Sequence, residues 1–277
     1  MKRIVTVQDI SCVGKCSLTV ALPIISAMGV EAAVVPTAVL STHTAFKGFT
    51  FCDLTDEIAP ICNHWEQEGI TFDAIYTGYL GSFRQLELVS DLFRRFGTET
   101  NHIVVDPVMA DNGKLYAGFT EEFAAKMAEL CGEADLILPN LTEAAFLLGI
   151  PYNPTPTEEE LHGLLRRLTD LGPRRAALTG VSLCEGRLGV MSYDKVTGEY
   201  FYYDNEHLPV SFHGTGDIFA STVVGALALG KTANESLALA VDYTVECMRA
   251  TMADPTHNWY GVNFETAIPE LLSALQK

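Results

Sequence analysis

The sequence has 277 residues, 48% of them hydrophobic, and its 18 basic and 35 acidic side chains give a formal charge of −17. This composition is that of an ordinary globular protein, long enough to bury a core without disulfides or structural metal. A charge of this sign disfavours nucleic acid as a partner, because that binding depends on Lys and Arg releasing counterions. It would also repel an anionic ligand, so any anion site must be formed locally.

Seven cysteines are scattered along the chain, and none belongs to a C-x-x-C pair of the kind that binds zinc. An odd number of dispersed thiols indicates a reducing compartment. The apolar run Ile4–Val7 is too short for a signal peptide, and the uncharged stretch Ile218–Gly230 is too short to span a membrane. We therefore expect a cytoplasmic protein without a membrane partner.

The first two thirds of the chain alternate short β-rich runs with helical periods, which predicts parallel strands joined by crossover helices. Helices are predicted to begin at Ser82 and Thr157, because Gln85 and Glu160 follow them three residues later in the pattern of a capping box. These two helices end at Gly97 and Gly172. A further helix is predicted to begin at Thr120, where two acids in the first turn would complement the helix dipole. Strands are predicted at Ile4–Val7, Ala32–Val39, Asp73–Thr77, His102–Asp106, Asp135–Leu138 and Arg175–Thr179.

The pattern changes after residue 179. Leu188–Tyr193 and Glu199–Asp204 flank a loop with turn-forming residues, which predicts an antiparallel hairpin at the edge of the sheet. No linker, low-complexity segment or internal repeat interrupts the chain, so residues 1–277 are predicted to form one α/β domain with a mostly parallel sheet. The remainder predicts three helices, at about 215–230, 233–253 and 264–275.

The sharpest local signal is the run from His213 through Gly214, Thr215 and Gly216 to Asp217. Its glycines let the backbone approach a ligand closely, and the helix that follows points its free N–H groups at the same loop. The run therefore predicts an anion cradle. An alternative for the acid is a purely structural role, as a first-turn carboxylate that complements the helix dipole.

Two further polar clusters follow predicted strands. Asp106 ends one strand, where it would face a cleft at the carboxyl edge of the sheet. Asn140 and Glu143 lie three residues apart at a helix start, so one turn would present both to the same point. The alternatives are a turn-forming Asp before Pro107 and a helix N-cap at Thr142.

Two common nucleotide-binding motifs are excluded. A Walker P-loop would need Gly at position 9 and Ser or Thr at position 16, where the chain has Asp9 and Cys16. The G-x-G-x-x-G fingerprint is absent after the first strand, so a nicotinamide or flavin enzyme of the Rossmann type is not expected.

The motifs that remain, in this order, resemble those of the ribokinase superfamily, whose Gly-Thr-Gly-Asp signature matches Gly214–Asp217. Within it the chain resembles the pyridoxal (pyridoxine, pyridoxamine) kinases of vitamin B6 salvage, over residues 1 to about 250. The resemblance implies a ribokinase-like fold, ATP-dependent phosphorylation of the 5′-hydroxymethyl group of a B6 vitamer, and a homodimer. The segments that carry it are Val7–Gln8, Ser41–Thr44, Thr77–Gly81, Asp106–Met109 and Pro139–Glu143.

The resemblance also implies roles for individual residues. Asp217 would be the general base on the hydroxyl, and the amides of Gly214, Thr215 and Gly216 would form an anion hole. Asp106 and Glu143 would hold Mg²⁺ directly or through water, which would reconcile an acidic protein with an anionic substrate. The positions implied on the ATP side are Asp106, Asn140, Glu143, Thr179, Asn205, Glu206, His207, Leu208, Gly214 and Gly216.

On the substrate side the resemblance places Asp9, His43, Thr44 and Tyr79 around the pyridine ring, beside Asp217. A loop at 110–119, flexible in composition, would fold over the nucleotide. The better-known pyridoxal kinases have Ser where this chain has Asp9, and a carboxylate there would favour pyridoxamine or a protonated ring nitrogen. A requirement for a monovalent cation such as K⁺, and the order of vitamer preference, stay open.

Three alternatives accompany this interpretation. A hydroxymethylpyrimidine kinase of the same superfamily is less favoured, because such enzymes often have Cys where this chain has Asp217. A sugar kinase is less favoured, because no lid insertion with carboxylates is evident between residues 10 and 50. A catalytically silent vitamer-binding regulator would be free to lose Asp217, which is present.

Overall fold

A nine-stranded sheet runs through the molecule, and helices cover both of its faces. The structure is a computed structural model and describes residues 1–276. The strands are β1 (Arg3–Ser11), β2 (Glu31–Leu40), β3 (Phe51–Asp53), β4 (Ala74–Thr77), β5 (His102–Val105), β6 (Ala110–Asp111), β7 (Lys114–Leu115), β8 (Leu136–Ile137), β9 (Arg175–Val181), β10 (Arg187–Asp194) and β11 (Glu199–Glu206). The helices are α1 (Leu18–Ala27), α2 (Thr55–Gln67), α3 (Phe83–Phe96), α4 (Glu121–Cys131), α5 (Leu141–Leu147), α6 (Glu158–Asp170), α7 (Thr215–Ala228), α8 (Ala233–Ala253) and α9 (Ile268–Leu275), the last preceded by a 3₁₀ turn at Phe264–Ala267.

The strand order in the sheet is β11-β10-β9-β8-β5-β4-β1-β2-β3. The six central strands are parallel, which confirms the predicted mostly parallel α/β sheet. The β10–β11 hairpin is antiparallel and lies at one edge, as predicted. The other edge also carries an antiparallel strand, β3, which the sequence did not reveal because its three residues are all exposed and show no alternation. A separate two-stranded hairpin is formed by β6 and β7.

Two apolar layers hold the helices on the sheet. One layer packs α2, α3, α4 and α6 against one face, with fully buried Ile58, Val89, Met127 and Leu165 among its members. The other packs α1, α7 and α8 against the opposite face. Helix α7 is buried along almost its whole length, which explains why residues 218–228 carry no charge. Its first turn is thereby fixed against the carboxyl ends of the central strands.

Helix starts follow the predicted capping residues, with one difference. Thr157 and Glu160 form a complete capping box, and Ser82 accepts the N–H of Gln85. The Gln85 side chain, however, accepts the N–H of Gly81 over 2.7 Å and donates to Thr37 and Thr55, so it joins α3 to β2 and α2 instead of closing the box.

Other differences from the prediction have local causes. Helices α1 and α2 were not predicted, and each contains an internal proline, Pro23 or Pro60, a residue that usually ends a helix. The predicted helix at 264–275 begins as a 3₁₀ turn before α9. All seven cysteines are free thiols. Over residues 1–276, no helix combines the length and apolar character needed to cross a bilayer.

Candidate active site

The predicted functional residues converge where the central parallel strands end. Asp9 lies near the end of β1, Tyr79 follows β4, Asp106 follows β5 and Asn140 follows β8. The carboxyl ends of adjacent parallel strands share one edge of the sheet, and ligands of open α/β sheets bind there. The first turn of α7, with Asp217, packs over the same edge.

Asp9 is buried and held by two hydroxyl groups. Ser17 Oγ donates to Oδ1 of Asp9 over 2.6 Å, and Ser11 Oγ donates to Oδ2 over 2.9 Å. The pairing register between β1 and β2 shifts between Gln8 and Ile10, and an irregularity of this kind re-aims a side chain. Burial raises the pKa of Asp9 above its ordinary value, although both serine hydroxyls oppose the shift.

Asp217 lies in the first turn of α7, half-buried beside Asp9. Burial raises its pKa to about 7; the backbone N–H of Ser17 lowers it, and the charge of Asp9 raises it. A carboxylate that served only the helix dipole would be stabilised in its charged form and would have a lowered pKa. Here burial outweighs that effect, and a pKa near 7 is typical of an acid–base group.

The two glycines of the predicted cradle differ in what confines them. Gly214 has a left-handed backbone with φ of 86°, and a Cβ there would lie 2.2 Å from the carbonyl oxygen of Lys15. Position 214 therefore requires glycine, both for its backbone conformation and for its packing. A Cβ on Gly216 would meet nothing within 4 Å, so the space beside it is open to a ligand. Thr215 Oγ1 donates to the carbonyl of Phe212 and closes the turn.

Glu143 and Asn140 form a capping box at the start of α5, so Asn140, and not Thr142, is the N-cap. Both oxygens of Glu143 accept backbone N–H groups, Oε1 from Met109 and Oε2 from Asn140. Burial nevertheless raises the pKa of Glu143 to about 7. Asp106 is also buried, and burial together with the charges of Glu143 and Asp217 raises its pKa well above the ordinary value.

These two acids fit a divalent cation only in part. In residues 1–276, no group of three or more His, Cys, Asp or Glu side chains is arranged to hold a metal ion. Asp106 and Glu143 nevertheless repel one another in a buried setting, which a cation between them would relieve. Mg²⁺ commonly binds one or two carboxylates and takes its other ligands from water and phosphate. Because backbone N–H groups already engage both oxygens of Glu143, Asp106 is the better direct ligand and Glu143 fits a water-mediated contact.

The residues implied on the ATP side lie at the same edge of the sheet, at the ends of β8, β9 and β11. Asn140 and Thr179 form an isolated β-bridge, so they are neighbours. Asn205 and Glu206 belong to β11, where Asn205 Nδ2 donates to Asp242 and Glu206 accepts from Arg249 in α8. After the strand, the side chain of His207 is exposed and that of Leu208 is buried.

His43 is buried and fully engaged by the backbone. Its Nδ1 accepts the N–H of Ala45 over 3.2 Å, so its Nε2 carries the proton and donates to the carbonyl of Tyr260 over 2.9 Å. Burial lowers its pKa, which favours this neutral form. With both nitrogens used, His43 offers a neighbouring ligand its ring and no free nitrogen. Thr44, next to it, is exposed.

Tyr79 stands on the other side of Asp9. Its ring centroid lies 5.5 Å from that of Phe119, and burial and the charge of Asp9 raise its pKa. The loop that carries Phe119 was predicted to be flexible, yet β6 and β7 order it into a hairpin. Asn112 and Gly113 both have positive φ there, as an Asn-Gly hairpin turn requires, and the Gly113 N–H donates to Thr142.

Several residues at this site were not found from the sequence. Ser11 and Ser17 hold Asp9, and Trp259 and Tyr260 contact His43 from a distant segment of the chain. Beneath the site, the hydroxyls of Tyr76 and Ser221 and Oε1 of Gln8 are buried without a hydrogen-bond partner among the described residues. The serines could have been noticed as polar positions flanking Asp9, whereas residues 259–260 carry no signal until the fold brings them close.

The sequence profile of the phosphomethylpyrimidine kinase family matches residues 21–261. A structure from Bacteroides thetaiotaomicron assigned to that family and solved with pyridoxal is 41% identical, with a TM-score of 0.92, over 98% of this chain and 95% of that one. Pyridoxal kinase from Lactobacillus plantarum is 32% identical, with a TM-score of 0.90, over 99% and 97% of the two chains.

A pyridoxal kinase from Arabidopsis thaliana is 26% identical over 200 residues. That match covers 67% of this chain and 61% of the plant protein, so the chain spans less than two thirds of that relative. The structural neighbours have the ribokinase-like fold predicted from the motifs, with the same mostly parallel sheet and antiparallel hairpin. The chain therefore belongs to the phosphomethylpyrimidine kinase family, in the branch of ribokinase-like kinases that resembles the vitamin B6 salvage enzymes.

Proposed function

We propose that this protein transfers the γ-phosphoryl group of ATP to the 5′-hydroxymethyl group of a vitamin B6 vitamer. The observation that carries the proposal is the placement of Asp217, whose pKa is about 7, at the start of α7 beside the buried Asp9. A general base for an alcohol needs a pKa near the working pH and a position at the reacting group. The pyridoxal-bound relative supports a vitamer as the alcohol.

In the proposed reaction Asp217 accepts the hydroxyl proton as the substrate oxygen bonds to the γ-phosphorus. The bond from the γ-phosphorus to the bridging oxygen breaks, and ADP leaves. The N–H groups of Gly214, Thr215 and Gly216 stabilise negative charge on the transferred group, because they lie at the positive end of α7. Phosphoryl transfer depends mainly on such positioning and charge stabilisation.

Asp106 and Glu143 would hold Mg²⁺ on the phosphates, with Asn140 holding the backbone around them. When bound, the ion would neutralise phosphate charge, which buried carboxylates alone would repel. Thr179, Asn205, Glu206, His207 and Leu208 are proposed to line the nucleotide site, because they border the same edge of the sheet. The proposal includes a homodimer, which sedimentation velocity would test.

The vitamer ring is proposed to lie over Asp9, with Tyr79 on one side and His43 on the other. Asp9 then faces a protonated ring nitrogen or the amine of pyridoxamine. Thr44, which is exposed next to His43, is proposed to contact the vitamer as well.

A second candidate function is phosphorylation of a hydroxymethylpyrimidine. It is favoured by the family match, because that family is described as phosphomethylpyrimidine kinase. Both substrates are flat heterocycles with a primary alcohol, so the fold does not separate them. Parallel assays of pyridoxine, pyridoxal, pyridoxamine and hydroxymethylpyrimidine with ATP and Mg²⁺ test the choice. We expect kcat/KM to be higher for at least one vitamer than for the pyrimidine, and the opposite order would overturn the proposal.

A further inference from the structure

Residues 254–263 form the loop that joins α8 to the 3₁₀ turn. This loop reaches the ring pocket, meaning the residues Asp9, His43 and Tyr79 that are proposed to surround the vitamer ring, and hydrogen bonds hold its two ends in place. Asn263 Nδ2 donates to Oδ2 of Asp254 over 2.9 Å, which ties the two ends of the loop together. The N–H of Asn263 also donates to Thr251 Oγ1 in α8, and that of Thr256 donates to Asp254. A loop closed in this way presents its tip on a rigid support.

The same loop packs against the segment that follows β1. Lys15 Nζ donates to Asn263 over 3.1 Å and to Glu265 over 2.9 Å. A Cβ on Gly261 would lie 2.5 Å from the Cβ of Lys15 and 3.0 Å from the carbonyl oxygen of Gly14. The close approach is therefore possible only with glycine at position 261, and it sets the position of the two residues before it.

Those two residues, Trp259 and Tyr260, meet the buried His43. The Tyr260 carbonyl accepts the proton of His43 Nε2, and the Trp259 ring lies 6.1 Å from the imidazole and 4.7 Å from the ring of Phe46. Trp259 is nevertheless 60% exposed, an uncommon state for a tryptophan that has aromatic neighbours on one side. The solvent-exposed face of the Trp259 indole is therefore available to contact a ligand.

The opposite side of the pocket is aromatic as well. Asp9 belongs to β1, which lies in the sheet between β4 and β2. Tyr79 follows β4 and His43 follows β2, so these two side chains flank Asp9, whose charge acts on both. Tyr79 packs with Phe119, and His43 packs with Phe46 and Trp259. A flat ring over Asp9 would therefore meet aromatic side chains on both sides, whereas a sugar would bring polar groups to the same surfaces.

We propose that Trp259 is a specificity-determining residue that covers the aromatic ring of the substrate. The 254–263 loop would then complete the pocket, with its backbone fixing His43 and its indole contacting the heterocycle. This inference rests on the proposed function, because it takes the substrate to be a flat heterocyclic alcohol. It adds a contact from a part of the chain that the motifs do not include.

Calorimetric titration with pyridoxine in the absence of ATP tests the contact without turnover. For Trp259→Ala we expect affinity to fall about tenfold, because the stacked ring and its buried area are lost, while Trp259→Phe stays within about threefold of wild type. In steady-state assays the KM for pyridoxine should rise in parallel, with the KM for ATP unchanged. Equal pyridoxine affinity in the wild type and in Trp259→Ala would overturn the inference.

Two controls separate the possible outcomes. Met252→Ala removes an apolar side chain that is 45% exposed at the end of α8, outside the aromatic group, and should leave pyridoxine affinity unchanged. Trp65→Phe leaves Trp259 as the single tryptophan of the chain, and saturating pyridoxine should then reduce quenching by acrylamide. An unreduced quenching slope would also contradict the contact. A wild type that binds no pyridoxine would instead refute the proposed function.

Discussion

The hydroxyl of Ser17 donates a hydrogen bond of 2.6 Å to Oδ1 of Asp9. The backbone N–H of the same serine lowers the pKa of Asp217, so one residue contacts both Asp9 and Asp217, the two acids of the proposed substrate site. Ser17 has φ of 54° and ψ of −132°, a backbone conformation that is rare for residues other than glycine, at the position where both of its groups meet these carboxylates. The two acids are thus held by one short segment, yet burial leaves both with raised pKa values.

Replacing Asp9 by Ser is expected to change vitamer preference more than overall rate. Two serine hydroxyls fix the Asp9 carboxylate, so it presents a charge in a defined place to a cationic group. We expect kcat/KM for pyridoxamine to fall about tenfold relative to pyridoxine, since a charge-assisted contact is lost. The measurement is the ratio of kcat/KM for the two vitamers in each protein, and an unchanged ratio would contradict the role of Asp9.

Gly214→Ala and Gly216→Ala are expected to fail in different ways. The first places a methyl group against the Lys15 carbonyl at a positive φ, so it should lower the melting temperature, by several degrees or more. The second puts a methyl group into open space, so it should fold normally and raise the KM for ATP. Thermal melts and ATP titrations of both proteins check this, and equal melting temperatures for the two variants would contradict it.

Asp217→Asn is expected to lower kcat by at least about a hundredfold while vitamer binding is retained, because a general base contributes on that scale. The pKa of Asp217 rises from 3.8 to about 7 on folding, so the stability that comes from its protonated form is complete below pH 4 and is lost as the pH rises through 7. Asparagine stays neutral, so the variant should melt higher than wild type at pH 8 and equally at pH 4.

Rate and melting temperature separate the two parts of that prediction. A fully active Asp217→Asn protein would refute the assigned base. If Asp217 acts as a base only when it is ionised, kcat/KM should also rise with pH and level off above about pH 7. A profile that is flat between pH 5 and 8 would show that Asp217 does not titrate in this range.

The two acids of the proposed metal side are expected to differ in their effect on stability. Glu143→Gln offers one acceptor where two backbone N–H groups need one each, so it should destabilise the fold by about 1 to 3 kcal/mol. Asp106→Asn should fold with little loss and raise the Mg²⁺ concentration needed for half-maximal activity. Urea denaturation and Mg²⁺ titrations separate the two, and an unchanged Mg²⁺ requirement in Asp106→Asn would remove that residue from the metal site.

The sequence predicted the central sheet well because its strands are buried and bounded by turn residues, as at β1, β4 and β5. It pointed to Asp106 and Asp217 as candidate acids because one follows a recognisable strand and the other begins a helix, whereas Asp9 was indicated only by the family resemblance. The role of Tyr260 could not be predicted from the sequence. Its backbone carbonyl fixes His43 from 217 residues away, and a backbone contact of this kind requires no particular residue type at either position. The capping of α5 by Asn140 was also missed, because Thr142 is an equally suitable cap in sequence.

The proposed reaction transfers a phosphoryl group from ATP to the hydroxymethyl group of a B6 vitamer. Mass spectrometry of a reaction with pyridoxine, ATP and Mg²⁺ tests it most directly. We expect a product heavier than pyridoxine by one phosphoryl group, with one ADP for each product and no such product from Asp217→Asn. ADP release without a phosphorylated vitamer, or phosphorylation of hydroxymethylpyrimidine alone, would contradict it.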